Sequence, residues 1–219
     1  KKTKKGESVN KEKNKIQTIQ RARNNIRRLA LANFSENAKF ITLTFRDTDE
    51  FDIRSVKECN IRFNRFIKRC RRAYGTFKYL AVVEFQDKNQ RGAVHYHMLS
   101  DLPVSDVYTL AELWQYGEPQ ALDVQSVDCI NDVNVDNIGA YLIKYMSKNL
   151  DDDRFDGSRC YLKSRNLEKP VEITGAAARK YLFELPFEIK NVNPVYENTY
   201  NSEYNGKVTY KEFNLKRKQ

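Results

Sequence analysis

The chain contains only two histidines, and they stand two residues apart as His95-Tyr96-His97 in a run of strand-forming residues, AVHYHML (93–99). Side chains at i and i+2 of a strand point to the same face, so both imidazoles can address one metal ion. Glu84 interrupts another apolar run, LAVVEF, where an ionised carboxylate is costly unless it is paired or bound to a metal. The polar segment 86–92 returns the chain from Glu84 to His95, so the two runs, 77–85 and 93–99, are expected to form an antiparallel hairpin. Two imidazoles and a carboxylate leave positions open for water or substrate, and this mixed N/O set suits Mn²⁺ or Mg²⁺ better than a closed zinc site. A salt bridge at a strand end is the plain alternative for Glu84.

A second group is Tyr141-Leu-Ile-Lys-Tyr145-Met-Ser-Lys148, in which YxxK occurs twice. In a helix over 137–149, Tyr141 and Tyr145 share one face, and Lys144 and Lys148 lie on an adjacent line. Tyrosines at this spacing are ordinarily core residues. Beside a metal hairpin and a basic surface they become candidate nucleophiles, because nearby positive charge favours a phenolate whose ordinary pKa is about 10.

The elements that must position these residues are legible in outline. Residues 39–45 (KFITLTF) read as a first, central strand, and 54–72 as an amphipathic helix with Val56, Cys59, Phe63, Phe66, Ile67 and Cys70 on one face. The spacing predicts a further helix over 104–115, a strand over 120–129, and the tyrosine helix capped by Asn134, Asp136 or Asn137. Strand, helix, strand, strand, helix, strand is the order of a ferredoxin-like α+β sandwich with an antiparallel sheet. Residues 1–35 are expected to form a basic arm, flexible over 1–15 and helical from Ile16. The catalytic domain is expected over 36–175, and 176–219 form an extension whose Asn205-Gly206 pair signals a two-residue hairpin turn.

Charge is unevenly spread. Residues 1–31 carry eleven Lys/Arg against Glu7 and Glu12, or +9, and residues 54–72 carry eight against Glu58, or +7, so the rest of a chain of net charge +10 sums to −6. An acidic body with two basic elements is the footprint of a nucleic-acid binder, with Arg21, Arg23, Arg27, Arg28, Arg62, Arg65 and Arg69 as candidate DNA contacts. The four cysteines form no CxxC pair, which argues against a zinc ribbon or a secreted disulfide scaffold and fits a cytoplasmic setting. Neither a membrane span nor a signal peptide is visible, although the first residue, Lys1, is not a methionine.

The segments FITLTF (40–45), AVHYHML (93–99) and YLIKYMSKN (141–149) resemble the three ordered motifs of the HUH endonuclease superfamily. Within it they are most similar to the rolling-circle replication initiators of plasmids, filamentous phages and microviruses, over roughly residues 38–170, with Leu113-Trp114-Gln-Tyr-Gly117 and Ser164-Arg165-Asn-Leu167 also alike. The resemblance implies metal-dependent nicking and rejoining of single-stranded origin DNA through a 5′-phosphotyrosine link, with His95, His97 and Glu84 holding the ion. It implies Tyr141 as first nucleophile, since single-tyrosine relatives match that position, and Tyr145 as a second. A duplex or hairpin beside the nick would be gripped by the basic elements, and the bacterial host would supply helicase and polymerase, there being no Walker-type phosphate loop here. A conjugative relaxase or HUH transposase shares this chemistry. A non-catalytic nucleic-acid module on the same sheet, stacking bases on its aromatic residues, predicts neither metal dependence nor cleavage.

Overall fold

The computed structural model describes residues 11–34, 38–87, 91–117, 127–130, 138–147, 153–155, 158–202 and 206–213. The chain divides into two compact units, Lys1–Pro170 and Val171–Gln219.

The first unit is mixed α+β. Helix α1 (Lys11–Asn33) is followed by β1 (Lys39–Thr44), α2 (Val56–Tyr74), β2 (Tyr79–Gln86), β3 (Ala93–Ser100), α3 (Val107–Trp114), β4 (Val127–Ile130), α4 (Ile138–Ser147), a 3-10 turn (Asp153–Phe155) and β5 (Tyr161–Lys163). The five strands form one antiparallel sheet in the order β4-β1-β3-β2-β5, whose first four positions follow the ferredoxin-like arrangement. Strand β1 is interior, as expected, paired with β4 and β3, and the histidine strand β3 takes the middle position. Residues 120–126, expected as part of the fourth strand, and the candidate caps Asn134, Asp136 and Asn137 lie outside the described residues.

Local chemistry sets the helix ends. Ser55 caps α2 by accepting a hydrogen bond from the Glu58 backbone N–H, so the helix starts after Arg54, and Gly75 ends it in a positive-φ conformation (φ 77°). Asp106 caps α3 in the same way through Thr109, which moves its start three residues past the expected Val104. Helix α1 begins at Lys11, so residues 11–15 are helical where the sequence suggested a flexible arm. Their polar composition supplies no apolar period that would announce a helix.

Strand alternation gives the sheet two different faces. One packs Ile41, Leu43, Ala81, Val83, Tyr96 and Met98 against α2 and α3, and Trp114 closes it by donating its indole N–H to the Thr44 carbonyl (2.7 Å). The other packs Phe40, Leu80, Val82 and Leu99 against Ile26, Leu29 and Ala30 of α1 and Leu142 and Ile143 of α4. These two helices meet where a Cβ on Gly139 would lie only 3.1 Å from the Arg27 Cα, so glycine permits the close approach.

The second unit holds α5 (Gly175–Glu184), α6 (Phe187–Lys190) and the hairpin β6 (Tyr196–Ser202) and β7 (Gly206–Glu212). Helix α5 is absent from the sequence expectation, and none of its residues is buried, which is why no apolar period announces it. The hairpin lies where expected, but Gly206 (φ 66°) pairs with Ser202, leaving three residues between the strands instead of a two-residue Asn-Gly turn.

Candidate active site

Glu84, His95 and His97 share the sheet face that α1 and α4 cover, since Glu84 pairs with His95, and Val82 and Thr42 flank His97. His97 is 5% exposed. Its Nε2 lies 2.7 Å from Glu84 Oε2, and its Nδ1 lies 3.2 Å from Thr42 Oγ1. A neutral ring with the proton on Nε2 donates to the carboxylate and accepts from the threonine hydroxyl, which locks its orientation. Glu84 thus bonds to the diagonal neighbour, not to its direct partner.

His95 follows the same diagonal rule one step along. Its Nε2 lies 3.0 Å from Gln86 Oε1, and Arg91 Nη1 donates to that same oxygen (2.7 Å). Arg91 is itself held by Asp47 (2.9 Å) and by the Phe45 carbonyl (2.6 Å). Gln86 and Thr42 were missed in the sequence, although Gln86 stands two residues beyond Glu84 and so on the same strand face.

Burial pushes the His95 imidazole down to a pKa of about 4, with His97 and the Arg91 guanidinium adding to the effect and Glu84 opposing it. The ring is therefore neutral near pH 7 and offers a lone pair without losing a proton. Because the folded state resists protonation that the unfolded chain accepts, this contribution to stability is complete above about pH 6.5 and is lost as pH falls towards about 4. Urea titrations of wild type and His95→Gln between those pH values should show the wild type losing up to about 3 kcal/mol more than the variant.

Tyr145 of α4 lies on this site. Its ring stacks on His97 with centroids 3.8 Å apart and planes at 28°, and Phe40 flanks both rings at 5.7 Å. Leu142 and Ile143 anchor the helix in the core, while Lys144 is exposed. Tyr141 occupies α4 one turn before Tyr145, but its side chain, like the whole of Lys148, is outside the described residues.

The donor chemistry suits a divalent ion. The 2.7 Å between His97 Nε2 and Glu84 Oε2 is close to the roughly 3 Å expected of two adjacent ligands with bonds of about 2.1 Å. As placed, His95 faces Gln86, and the His95 and His97 ring centroids are 6.4 Å apart. Among the described residues no three His, Cys, Asp or Glu side chains converge as a metal site.

The candidate DNA contacts separate onto opposite faces. On α1, beside the histidine face, Arg21 and Arg28 are exposed and Arg23 and Arg27 half-buried. Arg62, Arg65 and Arg69 belong to α2, on the other face. Arg65 is exposed, Arg62 lies 4.0 Å over the Phe51 ring, and Arg69 donates to the Leu113 and Trp114 carbonyls (2.6 and 2.8 Å), closing the end of α3. Arg69→Met is accordingly expected to cost about 1–3 kcal/mol in chemical unfolding while leaving the salt dependence of DNA binding unchanged.

Comparison with known proteins draws on the same segments. The family model for the replication-associated protein ORF2 group matches residues 38–150, just over half the chain and the stretch from β1 through the histidine hairpin to the tyrosine helix. No curated protein and no solved structure matches the chain. No helix among the described residues is long and apolar enough to cross a membrane. A match of this extent, over the segment that holds the site, means that the chain belongs to the replication-associated protein ORF2 family.

Proposed function

We propose that this replication-associated protein is a rolling-circle initiator of the HUH type, which nicks and rejoins single-stranded origin DNA through a tyrosine. The observation that carries the reading is the stack of Tyr145 on His97, itself hydrogen-bonded to Glu84, because it brings a helix-borne phenol to the only histidine pair in the chain.

In the proposed reaction the phenolic oxygen of Tyr141 attacks the scissile phosphorus and the P–O3′ bond breaks. The phenol's proton passes to solvent, the departing 3′ oxygen gains one, and the 5′ phosphate remains on the tyrosine. The free 3′-hydroxyl can prime a host polymerase behind a host helicase. Tyr145, one turn away on the same helix, would perform a second transfer, and attack by a 3′-hydroxyl on the phosphotyrosine rejoins the strand. Lys144 and Lys148, each three residues after a tyrosine in the sequence, would supply positive charge to the phenols. His97, Glu84 and His95 would hold Mn²⁺ or Mg²⁺, which when bound polarises a phosphate oxygen. The face is thereby a device for positioning a phosphate in line with a phenol.

The test is to incubate the protein with single-stranded oligonucleotides from its own element and Mn²⁺, and to look for a covalent adduct on a denaturing gel. A second reading, a non-catalytic nucleic-acid module, is favoured by the separate hydrogen bonds of the two imidazoles to Glu84 and Gln86. It predicts tight binding without an adduct under any metal.

A further inference from the structure

A cavity of about 700 Å³ opens at the edge of the sheet, where the end of α2, the start of β2 and the edge strand β5 meet. Arg71, Arg159, Lys163 and Arg165 line it together with Tyr79 and Tyr161, and no carboxylate does. All four cations are exposed, and none has an acidic partner among the described residues. Four like charges gathered around one concavity repel one another, and a low-dielectric wall focuses their field outward on an anion.

The wall is built rather than accidental. Ser164 is 2% exposed, and its Oγ accepts from the Tyr79 backbone N–H (3.1 Å) while its own N–H donates to the Tyr79 carbonyl (3.0 Å). This exchange fastens the end of β5 to β2 and fixes where Lys163 and Arg165 emerge. On the other side of β5, the Tyr161 hydroxyl accepts from Asn25 of α1 (2.9 Å). Arg21 and Arg28, four before and three after Asn25, share its helix face and are exposed, so positive charge continues from the cavity along α1.

We propose that this cavity binds the phosphodiester backbone of single-stranded DNA flanking the nick, an assignment that rests on the nicking function proposed above. A strand seated there reaches the histidine face by turning around the edge strand β5, since α2 covers the opposite face. Tyr161 pairs with Val82, and Val82 with His97, so the edge and the histidine strand are two strand spacings apart, roughly 10 Å. A concavity of this size admits one flexible strand, whereas a duplex would meet only the rim.

The test uses the whole chain and an oligo(dT) probe. Arg159→Ala, Lys163→Ala and Arg165→Ala combined should weaken binding roughly 10- to 100-fold near physiological salt and lower the slope of log K against log salt by about 2, at about 0.7 per lost phosphate contact. The arginine-to-lysine and Lys163→Arg combination, which keeps the charges, should restore the slope. Unchanged affinity and slope for oligo(dT) would overturn the proposal, and a loss seen only with a duplex probe would overturn it in favour of a duplex-binding surface. Adduct formation by the wild type is scored separately. A lowered slope without any adduct leaves the cavity as a single-strand site and sinks the nicking function, while an adduct with an unchanged slope does the reverse.

Discussion

Tyr141→Phe and Tyr145→Phe combined should eliminate the covalent protein–DNA adduct, a loss of at least about a thousandfold in cleavage, with DNA affinity within a few-fold of wild type. The substitution removes only two hydroxyls, so the stack of ring 145 on His97 and its contact with Phe40 are retained. Tyr141→Phe alone should remove most of the first adduct. Tyr145→Phe alone should leave that adduct in place and depress the second transfer, read as loss of rejoined product from a pre-nicked substrate. A persistent adduct in the double variant would show that neither phenol is the nucleophile. An adduct lost together with DNA affinity would point to a binding role for the two hydroxyls instead of a chemical one.

The second large effect concerns His97. Removing it takes away one proposed metal donor and leaves Glu84, whose side chain is only 15% exposed, without the imidazole it bonds. His97→Ala should lower cleavage by about a thousandfold, since several kcal/mol of charge stabilisation are at stake at about 1.4 kcal/mol per decade. Binding to the same oligonucleotide should fall far less, because the proposed phosphate contacts lie on basic residues elsewhere. Loss of that hydrogen bond adds a structural cost of about 1–3 kcal/mol. His97→Gln controls for this, because an amide N–H can still donate to Glu84 while the softer nitrogen ligand is gone. Equal loss of binding and cleavage in His97→Gln, with unchanged melting temperature, would favour the pure binding module.

Much of this architecture is legible before any coordinates. The β-branched and aromatic runs locate β1, β2 and β3, and the i, i+2 register places both histidines on one face without knowledge of what covers it. The six apolar positions read on the second helix are the six buried residues of α2. What escaped were elements without an apolar period: the first turn of α1, the three-residue strand β5, and α5, with no buried residue. Helix starts shifted by two or three residues because Ser55 and Asp106 cap them, a side-chain geometry that periodicity does not register.

The candidate site divides along the same line. Residue types and local spacing account for the hairpin, for the shared face of Glu84 and the histidines, and for the common helix of Tyr141 and Tyr145, because each depends on a strand period of two or a helix period of 3.6. They also account for the basic character of α1 and α2. Only the tertiary structure decides that each imidazole bonds to its diagonal neighbour, because this depends on how neighbouring strands offset their side chains. Packing alone seats Tyr145 on His97, turns Arg69 into a clasp for α3, and gathers four cations from α2, β5 and their flanks around one cavity. Those contacts join residues tens of positions apart, and their partners are chosen by which faces close against each other, a property of the folded whole that no local period in the chain encodes.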